Sequence, residues 1–274
     1  MHASTSTKLY EVKAAAGKGL GVFAFRDLKC GTRIMCERPL IYLTQGNAMD
    51  VPAEFAKLSP DEQALFLSLH CRRLDARDAA RTSIIRAQPS LRPSAAALSI
   101  EELVKIMAIY ETNTFEAGEG SVICPEASRI NHSCLPNVHH CWNKSIGRET
   151  VHAVKDIAAG EEILTTYVQI CIDHAEREKQ LERYGFTCDC PACDTSTAFG
   201  RASAKRRKRL FRIDQDLAMH STLPMLSPFS NDRKALCAVL EYAKLLREEG
   251  VENMELTRKY VGPLYPDHNE IKRS

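Results

Sequence analysis

What this 274-residue chain most clearly lacks is a long apolar run. No stretch approaches the roughly 20 apolar residues that a membrane span requires, and the opening of the chain holds no continuous apolar segment of the secretory kind. The chain is therefore expected in the cytosol or the nucleus, with no membrane among its partners. An excess of one charge is also missing. The 37 lysines and arginines nearly balance 35 acids, for a net +2, so the whole-chain electrostatics do not argue for nucleic-acid binding. No internal repeat is present, which speaks against an extended helical-repeat array. With 44% hydrophobic and 26% charged residues, the composition excludes disordered and fibrous classes and predicts one sizeable globular domain plus an appendage. Cysteine is plentiful by contrast. Eleven is an odd number, and without a secretory signal these residues are expected as reduced thiols and metal ligands, not as a disulfide framework.

Strand character at 9–13, 20–24, 32–36 and 40–43, punctuated by glycine, predicts a small twisted sheet. From about 53 to 112 the pattern turns helical. Ser59-Pro60-Asp61-Glu62 places an N-cap, a first-turn proline and two acids ahead of Leu65, Phe66 and Leu69. Ser99 and Glu102 form a second capping box before an apolar face of Leu103, Ile106, Met107 and Tyr110. Between these helices, 88–94 with Pro89 and Pro93 reads as a loop. Strands are expected again at 151–154 and 163–164, then a helix opened by Asp173 and Glu176 and closed by Gly185. Residues 194–204 are small and polar and run into Lys205-Arg206-Arg207-Lys208-Arg209, flanked by Arg201 and Arg212. This marks a boundary or hinge. The last helix, 232–249, is amphipathic, with Leu236, Val239, Leu240, Ala243 and Leu246 on one side and Gly250 past its end.

Three stretches carry most of the chemical information: Arg129-Ile130-Asn131-His132-Ser133-Cys134-Leu135-Pro136-Asn137, Gly160-Glu161-Glu162-Ile163-Leu164-Thr165-Thr166-Tyr167, and Tyr184-x-Phe186-x-Cys188-x-Cys190-x-x-Cys193. Three thiols leave a structural zinc one ligand short, because such sites are closed tetrahedra of four protein donors. Spacing alone does not choose the fourth among Cys124, Cys134, Cys141 and Cys171, while Cys30, Cys36, Cys71 and Cys237 lack ligand spacing. Gly17-x-Gly19-x-Gly21 is not a dinucleotide fingerprint, since the long helix and downstream acid are missing. Glu161 and Glu162 are neighbours on a strand and face opposite ways, which favours a structural or solvated role over acid–base pairing.

In this order and at these distances the motifs resemble the catalytic half of SET-domain protein lysine methyltransferases, closest to the SET-and-MYND subfamily and its fungal relatives. The resemblance covers roughly 8–195 and reaches back to Gly17-Lys18-Gly19-Leu20-Gly21 and Asn113-Thr114-Phe115. It implies an α+β architecture, the SET-domain β-clip fold of small twisted sheets at 8–170, split by a helical insert at about 53–112. A post-SET helix and zinc-bound tail would follow at 171–195, then a basic hinge and short helical C-terminal segment at 196–274. The subfamily's cysteine-rich MYND finger has no counterpart in this sequence.

The resemblance also implies an activity: methyl transfer from S-adenosylmethionine to the lysine amine of a histone or non-histone protein or peptide. Tyr167 is then the catalytic tyrosine and lines the cofactor pocket. Ala16, Gly17, Lys18, Gly19, Asn113, Asn131, His132 and Phe186 are the other expected cofactor-binding residues, and Phe115 and Tyr184 the walls of the lysine channel. Cys134 is expected to complete one structural zinc site with Cys188, Cys190 and Cys193. Such a transfer is an in-line displacement that needs aligned reactants, excluded water and a neutral amine, which a narrow desolvating channel favours. Two rival readings stand beside it: a non-catalytic zinc-stabilised scaffold, and a methyltransferase for small-molecule amines. The basic run at 205–209 reads as a nuclear import signal, a patch approaching nucleosomal DNA in chromatin, or a solvated hinge or helix start.

Overall fold

The computed structural model describes residues 8–44, 48–71, 98–222, 225 and 228–251. The loop expected at 88–94 lies outside them. The strands are β1 (Tyr10–Ala15), β2 (Gly19–Ala24), β3 (Arg33–Glu37), β4 (Ile41–Leu43), β5 (Thr114–Ala117), β6 (Gly120–Ile123), β7 (Asn131–His132), β8 (Val138–Asn143), β9 (Arg148–Ala153) and β10 (Glu162–Thr165). The described α-helices are numbered here α1 (Val51–Phe55), α2 (Pro60–Leu67), α3 (Ile100–Asn113), α4 (His174–Leu181), α5 (Ala198–Thr222) and α6 (Asp232–Glu249).

The strands form three small sheets with orders β1-β2-β10-β7, β3-β9-β8 and β4-β6-β5. β1 and β2 pair antiparallel with Ala15 opposite Gly19. The chain turns there through Gly17 and Gly19 at φ of 72° and 77°, a left-handed conformation that glycine adopts without a Cβ penalty. This is the α+β arrangement of small sheets and helices expected from the sequence.

The helix starts follow the expected capping chemistry. Ser59 and Ser99 each accept from the backbone N–H three residues on, and Glu62 and Glu102 reach back to the cap N–H, closing both capping boxes. Leu103, Ile106, Met107 and Tyr110 are all buried. In α2, Phe66 is buried while Leu65 is exposed. No described helix is long and apolar enough to cross a membrane.

Two compact units emerge. The first draws its described residues from Met1–Asn131, Asn137–Leu164 and Glu182–Phe186. Its sheets enclose Val22, Met35, Val122, Ile130, Val138, Val151 and Ile163, and a second cluster under the helices joins Ile41, Phe66, Leu103, Ile106, Ile109 and Ile123. Each such side chain taken fully from water contributes about 1.5–3 kcal/mol.

The second unit draws on His132–Pro136, Thr165–Leu181 and Thr187–Ser274. Here the expected hinge is replaced by α5, a continuous helix of 25 residues. The small polar residues before it are its cap. Asp194 folds the turn by accepting from the Ser196 N–H, Thr197 Oγ1 accepts from the Gly200 N–H, and a Cβ on Gly200 would lie 1.9 Å from the Asp194 carbonyl oxygen. α5 packs on α6 around Leu210, Ile213, Tyr242 and Leu246.

α6 occupies the expected span, and Gly250 closes it in the left-handed region. Its buried face differs from the expected one: Ala235, Ala238, Tyr242, Leu246 and Glu249 point inward, while Leu236 and Leu240 are 57% and 62% exposed. Two alanines allow close approach, and Glu249 is held by arginines of α5, so the helix is rotated by about one residue, roughly 100°, from its apolar stripe.

Candidate functional site

In the first unit, Ala16, Gly17, Lys18 and Gly19 are exposed on the β1–β2 turn, and a Cβ on either glycine would meet nothing within 4 Å. Within the protein the two glycines supply the left-handed turn. Gly21 differs: a Cβ there would sit 2.7 Å from Glu162 Oε1 and 2.8 Å from Asn131 Nδ2. The missing side chain lets Asn131 approach the strand, where Nδ2 donates to Glu162 Oε1 at 2.8 Å and to the Leu20 carbonyl at 3.1 Å. Glu162 also meets Lys18 Nζ through Oε2 at 3.5 Å. Glu161 turns the other way and accepts from Asn137 Nδ2 and the Ala158 N–H. The two glutamates thus serve separate structural contacts, Glu162 at the start of β10 and Glu161 just before it.

Phe115 is half-buried on β5 with its ring edge-on to His140, centroids 5.0 Å apart. Tyr184 is buried, and its hydroxyl accepts from Arg183. Phe186 lies 6.5 Å from Tyr184 between centroids and is 41% exposed, so a ring surface is available for stacking. Asn113 is the last residue of α3. It is buried, and both hydrogens of its amide donate to the carbonyls of His70 and Ile109 at 2.7 Å. Its amide donors are thereby held within the protein, as those of Asn131 are held by Leu20 and Glu162.

In the second unit, His132 is buried and both ring nitrogens are engaged. Nδ1 accepts the Tyr167 backbone N–H at 3.0 Å, so the hydrogen resides on Nε2, which lies 3.4 Å from Cys134 Sγ. The His132 and Tyr167 rings pack with centroids 5.3 Å apart. One imidazole therefore connects the tyrosine backbone to the thiol cluster, and the ring itself has no nitrogen left to offer a ligand.

The thiol sulfurs of Cys134, Cys188, Cys190 and Cys193 all lie within 4.8 Å of one another. Cys134 Sγ is 3.6 Å from Cys193 Sγ and 4.0 Å from Cys188 Sγ. A tetrahedron of zinc–sulfur bonds of about 2.3 Å has edges of about 3.8 Å, whereas a disulfide would bring sulfurs to about 2 Å. The donor set fits a four-thiolate zinc. Of the four cysteines that spacing left open, Cys134 is the one that joins the group. Cys124 sits in the sheet core of the first unit, Cys141 lies 3.3 Å from Thr150 Oγ1, and Cys171 belongs to the apolar cluster beneath α5 and α6. Hydrogen bonding with Cys134 lowers the Cys193 thiol to about 6, with Arg177 adding to the effect.

A family model described as the SET domain matches residues 19–168. The chain belongs to the SET-domain family. Histone-lysine N-methyltransferase set5 of Schizosaccharomyces pombe is 33% identical over 246 residues, covering 89% of this chain and 66% of its own length. N-lysine methyltransferase SMYD2 of Gallus gallus is 40% identical over 151 residues, 55% of this chain and 33% of that protein. The chain thus spans just under two thirds of the yeast relative and a third of the chicken one.

For a SET-domain protein, sequence reasoning missed three participants. Glu162 orients Asn131, where the residue pattern points only to a structural or solvated role. Gly21 provides the space for that contact. Arg177 places Nη2 3.6 Å from Cys193 Sγ, and nothing in a helical arginine among glutamates announced it.

Proposed function

We propose that this SET-domain protein transfers a methyl group to the side-chain amine of lysine in a protein or peptide. The observation that carries the reading is the His132 ring, which takes the Tyr167 N–H on one nitrogen and faces Cys134 with the other. This ties the expected catalytic tyrosine to the motif that bears Asn131. S-adenosylmethionine, the cofactor of this reading, supplies an activated methyl when bound.

The chain's own residues do the rest. Asn131, oriented by Glu162, the backbone of His132 and the open turn at Ala16, Gly17, Lys18 and Gly19 bind the cofactor, with Phe186 stacking on its adenine. Phe115 and Tyr184 line the channel that strips water from the lysine and favours its neutral form. The Tyr167 hydroxyl orients the amine. One zinc on Cys134, Cys188, Cys190 and Cys193 pins the tail that carries Phe186. Residues 8–170 are the SET core with its insert at 53–112, 171–195 the metal-holding tail and 196–274 the C-terminal helical segment.

The proposed place of action is nuclear or cytoplasmic. Any chromatin contact through 205–209 falls to Lys205 and Lys208, with Arg212 on the same exposed face of α5, because Arg206 and Arg207 pair with Glu249 and Arg209 with Glu241.

Purified zinc-loaded protein with radiolabelled S-adenosylmethionine, a lysine-peptide array and a metabolite extract tests the activity. Label on peptide lysines that falls on the order of a hundredfold in a folded Tyr167→Phe variant is the expected result. Label only on metabolites favours the small-amine reading. Cofactor binding without any transfer favours the scaffold, and full activity in Tyr167→Phe removes that residue from the mechanism.

A further inference from the structure

Arg177, on α4, is 1% exposed. The other arginines held inside the second unit have acids: Arg206 and Arg207 meet Glu249 at 2.7 and 2.8 Å. Arg177 has none. Its contacts include the Ile172 carbonyl, which accepts from Nη1 at 2.6 Å, Cys193 Sγ, 3.6 Å from Nη2, and the Cys134 thiol, while Nε is buried without a partner. A guanidinium shut away from water without an opposite charge costs several kcal/mol. Among the described residues, the anionic groups facing it are the sulfurs of the cysteine cluster.

The converse holds for the cluster. Four thiolates around a divalent zinc carry a net charge of −2, in a place where three of the four cysteines are buried. Besides backbone N–H groups, two side chains face them: His132 Nε2 toward Cys134 and Arg177 Nη2 toward Cys193. Of these only the guanidinium brings charge, and it brings the net to −1. With neutral thiols or a disulfide in the cluster, Arg177 would be a buried and uncompensated cation.

On this basis, which rests on the zinc reading above, we infer that Arg177 is the counter-cation of the metal–thiolate site, a positioning residue whose charge balances the loaded cluster and raises its affinity for zinc. Arg177 and the metal then stabilise each other, and neither is at ease in the second unit alone.

The experiment compares wild type with Arg177→Met and Arg177→Lys in the full chain. The readouts are bound zinc by elemental analysis, zinc affinity by competition with a chromophoric chelator, and Tm by circular dichroism with zinc and after chelation under reducing conditions. Wild type is expected to hold one zinc, Arg177→Met to bind it roughly 10–100-fold more weakly, and Arg177→Lys to recover part of the loss. Arg177→Met is also expected to lower Tm in the zinc-loaded protein and not in the chelated one, since without metal the cation lacks its counter-charge. Equal falls in both states would mark a packing role and overturn the inference, as would unchanged affinity. If Arg177→Met does not fold, Arg177→Lys against Arg177→Gln carries the same comparison, and equal affinities overturn it. A wild type that takes up no zinc removes the metal reading itself, a result distinct from one zinc held equally by all variants.

Discussion

The two compact units are stabilised by different chemistry. In the first, strands and capped helices bury Val22, Val122, Ile123, Ile109 and Ile163 almost completely. In the second, the largest fully buried side chains include Arg177, Arg207 and Tyr242. Arg207 alone donates to Glu249, Ser203, the Ile170 carbonyl and the Cys134 carbonyl. Apolar burial is tolerant, because a lost methylene costs a bounded amount. A buried charge network is not, because removing one partner strands the other. The first unit is accordingly expected to lose stability by increments and the second to lose it all at once.

Removing the metal gives the largest contrast. Cys190→Ser, or chelation of wild type, is expected to abolish zinc binding and cost more than about 4 kcal/mol. At about 2–4 °C per kcal/mol for a chain of this size, Tm falls by roughly 10 °C. Hydrogen exchange should then speed up through α5 and α6 while the β3-β9-β8 sheet keeps its protection. Equal loss in both regions would show one cooperative body and end the comparison.

Glu249→Gln comes next, at about 3–5 kcal/mol in denaturant unfolding, since it leaves Arg207 buried without an acid. A conservative change in the other unit, Ile123→Val, is expected to cost about 0.5–1.5 kcal/mol in the same measurement. The smallest effect tests the rotation of α6: Leu240→Glu should stay within about 0.5 kcal/mol of wild type. A loss of several kcal/mol there would mean that the apolar stripe, and not the alanine face, is buried.

Much of the fold was legible because it rests on local rules. Ser59 with Glu62 and Ser99 with Glu102 announce helix starts wherever they occur, and the face of Leu103, Ile106, Met107 and Tyr110 follows from helical period. The cysteine set was readable from motif order, with Cys134 supplied by family resemblance and then by the sulfur distances. The errors lie where a local pattern lost to a distant partner. The polar stretch before α5 looked like a hinge, but Asp194, Thr197 and Gly200 use those small residues to cap a helix. The stripe of Leu236 and Leu240 looked like a core face, but Glu249 is drawn to Arg207, and the small Ala235 and Ala238 pack in its place.

The sequence by itself determined where the capped helices α2, α3 and α6 begin, and that four thiols, an Asn-His pair and a tyrosine belong to one SET-domain signature. These depend on hydrogen bonds a few residues long and on motif order. Only the tertiary structure decided that the His132 ring serves Tyr167 and Cys134, that Glu162 holds Asn131 across Gly21, that three of the five basic residues at 205–209 are committed to acids, and that Arg177 faces the thiols without an acid of its own. Those are matters of charge and close approach between residues far apart in the chain, and no periodicity encodes them.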